Sequence, residues 1–194
     1  MQRAIRRIIA AAIMLAPGGV ASVCAQADTA ADARKMIQAV YTKRDAAEQK
    51  KDLEGSLSSL APDFVFEAKD GQRGDAKLLK RRLTPLIMLM QSVKSKSEIT
   101  KFAFKGKDAK ATVKAHLEML VLNPQTQVPQ RVVADATSED LWTKTATGWL
   151  QKKMTTKSET ASLNGKSISE QLDLNGKPGK PGGSPKNKSA KKAG

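Results

Sequence analysis

The sequence predicts an α+β fold, with N-terminal helices packed on a strongly curved antiparallel sheet, and three observations predict it. Apolar residues first recur at helical spacing, around Tyr41 and again around Leu83. After Val93 the period changes to two and holds almost to Ser162. Short turn sequences, Gly106-Lys107-Asp108 and Thr145 to Gly148, cut that second region into hairpins. Helices followed by a run of strands bury their apolar faces best as one helical layer on one sheet. A curved sheet folded around a long helix leaves a cone-shaped cavity.

The first helix is read from Asp28 to about Lys51, with Met36, Ile37, Val40 and Tyr41 as one apolar stripe. Asp28 or Thr29 caps it, since a short side-chain oxygen satisfies the free N–H groups there. Gly55 to Leu60 reads as a short second helix, with Leu53, Leu57 and Leu60 on one face and Pro62 ending it. Asp63 to Gly71 is a first strand that finishes in an Asp-Gly turn. Asp75 can cap a third helix, whose buried face is Leu78, Leu79, Leu83, Leu86, Ile87 and Met90. Lys77, Lys80, Arg81 and Arg82 form its wet face, and Pro85 inside it is expected to kink or divide it. Four strands follow, at 98–104, 109–122, 130–144 and 149–162, and Asn164-Gly165 closes the domain. In the second of these Ala111, Val113, Ala115, Leu117, Met119 and Val121 alternate with Thr112, Lys114, His116 and Glu118, as in a strand with one wet face.

The two ends read differently from this body. Residues 1–27 have the form of a cleaved secretory signal: Arg3, Arg6 and Arg7, an apolar run from Ile8 to Leu15, and Ala25-Gln26-Ala27 before the cut. The run is too short, and too soon broken by Pro17-Gly18-Gly19, to span a bilayer stably. Cys24, the only cysteine, leaves with it, so disulfides, a thiolate nucleophile and cysteine metal sites are excluded from the remaining chain. The expected location is periplasmic or secreted. Residues 166–194 form a Lys/Pro/Gly-rich tail that cannot bury enough surface to fold. Of the formal charge of +15, three units leave with the signal and six lie on the acid-free lysines from Lys177 to Lys192, so 28–176 keeps +6. Such a tail is suited to anionic envelope polymers, or serves only solubility.

Chemistry-bearing residues are few. Tyr41 is the only tyrosine, either a donor in a dry pocket or an amphipathic core residue. Asp140 is either a buried protonated donor or an acid paired with Lys144 or Lys153 across its hairpin. His116, the sole histidine, falls on the wet face of its strand. One histidine without a cysteine or an acid cluster makes no metal site, and no cofactor is expected. There is no Gly-x-Ser-x-Gly and no phosphate-binding loop. Aromatic residues are too scarce among the basic ones for specific nucleic-acid recognition. Trp142 and Trp149 can face each other or the third helix, closing the core or lining a cavity mouth.

Five stretches in order carry a resemblance: Val40-Tyr41, Lys51-Asp52-Leu53-Glu54-Gly55, Leu60 to Phe66, Asp140-Leu141-Trp142 and Gly148-Trp149-Leu150. Over about 31–163 the chain resembles the nuclear-transport-factor-2-like superfamily, the cystatin-like cone fold that includes ketosteroid isomerases and SnoaL-like proteins. That resemblance implies a pocket walled by Tyr41, Phe64, Phe66, Asp140 and Trp142. In the isomerases a helix tyrosine and a late-strand acid polarise a carbonyl, and an acid at the end of the first strand moves the proton. Tyr41 and Asp140 match the first two places, while the third falls on Ala68 rather than Glu67.

The expectation is therefore an exported, non-catalytic cone domain over 28–165. It would bind a small apolar ligand in its cavity or act as a homodimerising module. The alternatives are a lyase or isomerase working through Tyr41 and Asp140, and an envelope-interaction protein that holds anionic polymer through its tail.

Overall fold

A computed structural model describes residues 29–167. The expected signal, Asp28 and all but the first two residues of the expected tail lie outside the described residues. The elements are α1 (Ala30–Gln49), α2 (Leu53–Leu57), β1 (Leu60–Glu67), β2 (Arg73–Asp75), α3 (Ala76–Leu89), β3 (Met90–Lys105), β4 (Asp108–Leu122), β5 (Pro129–Thr145), β6 (Gly148–Leu163) and β7 (Lys166–Ser167). The sheet runs β2-β1-β6-β5-β4-β3, with β7 paired to β6. It is antiparallel except at one place: β1 lies parallel to β6, since the helical layer carries the chain back between them. No described helix is long and apolar enough to cross a membrane.

Local chemistry sets the boundaries. The Thr29 and Asp75 side chains each accept the backbone N–H three residues on, Asp32 and Leu78, and start α1 and α3. Asp52 does the same for α2 through the Gly55 N–H, so that helix begins at Leu53 and is over by Leu57. Leu60 is therefore the first residue of β1 rather than the last of a helix. Pro62 sits inside β1, where the β1–β6 register shifts between Leu60 and Val65, so its missing N–H removes no ladder bond. Pro85 does not divide α3, which runs on to Leu89. The proline is exposed, so the carbonyl it leaves unbonded can face water. Met90 opens β3 instead of closing the helix.

Bulges at Met90/Ser92 and Ile99/Lys101 in β3–β4, and at Thr137/Ser138 and Leu141/Trp142 in β5–β6, bend the sheet. Its concave face holds two apolar clusters. One gathers Phe64, Phe66, Leu79, Leu83, Leu117 and Met119 between α3 and the sheet. The other gathers Ile37, Tyr41, Ile99, Val113, Trp142 and Trp149 beneath α1. The convex face is laced with ion pairs, among them Lys110–Glu139 at 2.8 Å, Arg131–Glu118 at 3.0 Å and Lys153–Glu67 at 3.1 Å.

β3 is an edge strand, and α1 seals it. Arg34 Nη2 donates to the Ile99 carbonyl and Gln38 Nε2 to that of Ser97, both at 2.9 Å. Gln38 Oε1 accepts the Ile99 N–H and Asp45 Oδ2 the Ser97 N–H. Asp45 Oδ1 also accepts both the Ser95 and Ser97 hydroxyls, at 3.0 and 2.9 Å. Side chains one or two helical turns apart thus satisfy a strand that would otherwise offer its backbone to another chain.

Candidate functional site

Between the two apolar clusters lies a buried polar one. α1 contributes Tyr41 and Arg44, three residues apart and so on one helix face. β5 contributes Asp140 and Trp142, two apart and so on one sheet face, and β6 contributes Gln151 opposite Trp142. Tyr41, Arg44, Asp140 and Trp142 are each 1% exposed and Gln151 is fully covered.

The Tyr41 hydroxyl donates to Asp140 Oδ2 at 2.5 Å and accepts from Trp142 Nε1 at 3.1 Å. The Tyr41 and Trp142 rings meet edge to face with centroids 5.3 Å apart. The Arg44 guanidinium lies 5.1 Å from the Tyr41 ring centroid and donates to Gln151 Oε1 at 2.5 Å and Ser59 Oγ at 3.2 Å. Three further buried atoms of this cluster lack a well-formed bond: Arg44 Nε, Asp140 Oδ1 and Gln151 Nε2. The Gln151 amide is nonetheless near enough to favour the ionised form of Asp140.

Burial dominates the titration of this cluster. Loss of solvent pushes the Asp140 carboxyl up to about 6, against the opposing pull of the Tyr41 bond, Arg44, Ser138 and Gln151. Burial first, and then the neighbouring Asp140 charge, hold the Tyr41 phenol well above its ordinary value. Both groups therefore keep their protons at neutral pH more readily than exposed ones do.

The residues expected to wall one pocket fall into two sets. Tyr41, Asp140 and Trp142 are in direct contact. Phe64 and Phe66 belong to the cluster under α3, where Phe66 also meets the Arg82 guanidinium at 5.4 Å. Asp140 is paired with neither Lys144 nor Lys153; Lys153 goes to Glu67 on the convex face. The tryptophans pack beneath α1 rather than against α3, and Trp149 meets Phe104 edge to face. Glu67 faces outward between Lys153 and Arg73, which hold its carboxyl below the usual range, and Ala68 takes the following place. His116 is exposed and bonds Asp135 Oδ1 through Nδ1 at 2.8 Å. Among the described residues no three His, Cys, Asp or Glu side chains are grouped to hold a metal ion.

Arg44 and Gln151 were missed by sequence reasoning. A signal for Arg44 existed, because it continues the stripe Ala33, Ile37, Tyr41 at the next helical step. Gln151 carried one too: it stands two residues beyond Trp149 and so shares its face, and the bulge comes only after it, at Lys152.

A long helix over a bulged, open sheet with a polar cluster at its centre defines a class: the cone-shaped α+β domains. The chain has the nuclear-transport-factor-2-like form of that fold. It superposes on a nuclear-transport-factor-2-like superfamily protein from Salmonella enterica with a TM-score of 0.52, at 14% identity over 66% of this chain and 92% of that one. A protein from Kribbella flavida gives 0.55, at 11% identity over 68% and 95%. A hexachlorocyclohexane dehydrochlorinase (LinA type 2) gives 0.52, at 10% identity over 66% and 88%. At such identities the likeness is one of fold, and the fold hosts enzymes among its members. No protein-family model and no curated protein sequence matches the chain.

Proposed function

We propose that the chain is an exported, non-catalytic cone domain that holds a small, largely apolar molecule between α3 and the concave sheet face. One observation carries the reading: the only tyrosine hydroxyl is spent inside the fold, giving its proton to Asp140 and its lone pair to Trp142. A carbonyl substrate would have to break that pair, and Ala68 at the end of β1 offers no base to move a proton. What remains is the buried apolar cluster under α3, in which Met90, Met119 and Met154 are prominent. Unbranched methionine side chains repack around a guest at small cost. The expected export signal supports a role outside the cytoplasm, and the lysine-rich tail is read as an accessory tether to anionic polymer. A sheet-face homodimer is the weaker alternative, because its convex surface would have to desolvate a field of ion pairs.

Titration with the neutral fluorescent probe N-phenylnaphthylamine tests this. Saturable binding at one site is expected, weakened roughly tenfold or more by Ala134→Leu, which adds bulk to the α3 cluster opposite Leu117. Binding that never saturates, or is indifferent to the bulkier variant, contradicts it. A lyase or isomerase reading draws on the same Tyr41–Asp140 contact. It requires turnover of an enolisable ketone that is lost in both Tyr41→Phe and Asp140→Asn.

A further inference from the structure

The convex face is not uniform. On β5, β6 and β1 its lysines and arginines are matched with acids, as in Lys110–Glu139, Lys153–Glu67 and Arg131–Glu118. Towards the β3 edge the matching stops. Lys94, Lys96, Lys101 and Lys105 on β3 and Lys114 on β4 are all exposed, and none forms an ion pair among the described residues. Lys94 and Lys96 stand one strand repeat apart, and the bulge at Ile99/Lys101 returns Lys101 and Lys105 to the same side. Lys114 sits beside them, opposite Glu98. The acids in this area are Glu98, opposite Lys114, Asp108, opposite Lys105, and Glu118, which faces Lys94 and is already held by Arg131.

The result is a lane of five cations against two carboxylates outside any ion pair among the described residues, Glu98 and Asp108, about 35 Å long at ~3.3 Å per strand residue. It runs along a strand whose backbone edge is closed by α1, so its side chains rather than its backbone are on offer.

We propose that this lane binds an extended, acidic polysaccharide. A linear polyanion matches a linear row of unpaired ammonium groups, and the attraction needs no pocket. The choice of polysaccharide over nucleic acid rests on aromatic placement. None of the seven aromatic side chains is exposed: Tyr41, Phe64, Phe66, Trp142 and Trp149 are buried, and Phe102 and Phe104 are half-buried and pack on the cluster under α1. The lane thus presents no ring on which a base could stack. The expected export signal points the same way. This site is separate from the proposed cavity and stands whether or not the cavity binds a guest.

Polygalacturonate binding by the full chain, followed by fluorescence anisotropy over a salt series, tests the proposal. The lane variant changes Lys94, Lys96, Lys101, Lys105 and Lys114 to Gln; the comparison variant changes five tail lysines, Lys177, Lys180, Lys186, Lys188 and Lys191, to Gln. The lane variant is expected to weaken binding roughly tenfold or more and to flatten its salt dependence, with the tail variant losing less than about threefold. Equal losses in the two variants, or an unaffected lane variant, would overturn it. So would equally tight binding of a thymidine oligonucleotide of matched charge. Acetylation footprinting of the unaltered chain gives an independent reading: the five lane lysines become protected by polymer while Lys152 and Lys157 do not, and the reverse pattern contradicts the proposal.

Discussion

A carboxyl group sealed beside a phenol and an indole ties this molecule's stability to pH at a single residue. Asp140 is fully buried and titrates near 6, above its value of 3.8 in the unfolded chain. The folded state therefore binds the extra proton between those values, and stability is greatest below the lower one and falls as pH rises through about 6. A rise from 3.8 to about 6 is worth roughly 3 kcal/mol between the two ends of that window. Urea unfolding of the wild type and Asp140→Asn across pH 4 to 8 should show the variant gaining on the wild type by about that amount as pH rises. Tyr41→Phe should cost about 1–3 kcal/mol, because it strands both the Asp140 oxygen and the Trp142 N–H in the interior. At this scale the sequence was partly readable. The resemblance singled out Tyr41 and Asp140, which the fold brings into contact. Arg44 was obscured because a buried guanidinium inside an apolar stripe looks, one residue at a time, like a surface charge.

The element whose loss would matter most for solubility is the side-chain seal on β3. Asp45→Ala removes three acceptor contacts, to the Ser97 N–H and to the Ser95 and Ser97 hydroxyls. It should lower stability by about 2–3 kcal/mol and sharply increase amide exchange at Ser97, measured by hydrogen exchange. Asp45→Asn should restore part of the loss. Gly74 in β2 tests another junction: a Cβ there would come within 2.5 Å of a Leu78 methyl and 2.6 Å of the Phe66 ring. Gly74→Ala should lower the melting temperature by several degrees, since Phe66 is locked in the core. Period-two alternation made the four long strands legible, and their ends moved by a few residues, except that β3 reaches back to Met90. The parallel β1–β6 pairing was not legible, because alternation reports which face a residue occupies and not which strand lies beside it. Pro62 misled for a related reason: a proline signals the lack of an N–H, and a bulge absorbs that lack as well as a helix end does.

On the scale of the whole molecule, the concave face is divided between two apolar clusters with a polar one between them, and the convex face between matched and unmatched charge. The order of helices and strands made the overall cone legible. The division of its interior was not, since it depends on bulges that reset which side chains point inward. The function proposed for this cone is to carry a guest without turning it over. Native mass spectrometry of the purified full chain decides between carriage and turnover. One protein mass plus a single small-molecule mass, released chemically unchanged on unfolding, is expected. A bare protein mass under conditions that preserve the fold, or a released molecule converted to product by fresh protein, would contradict it.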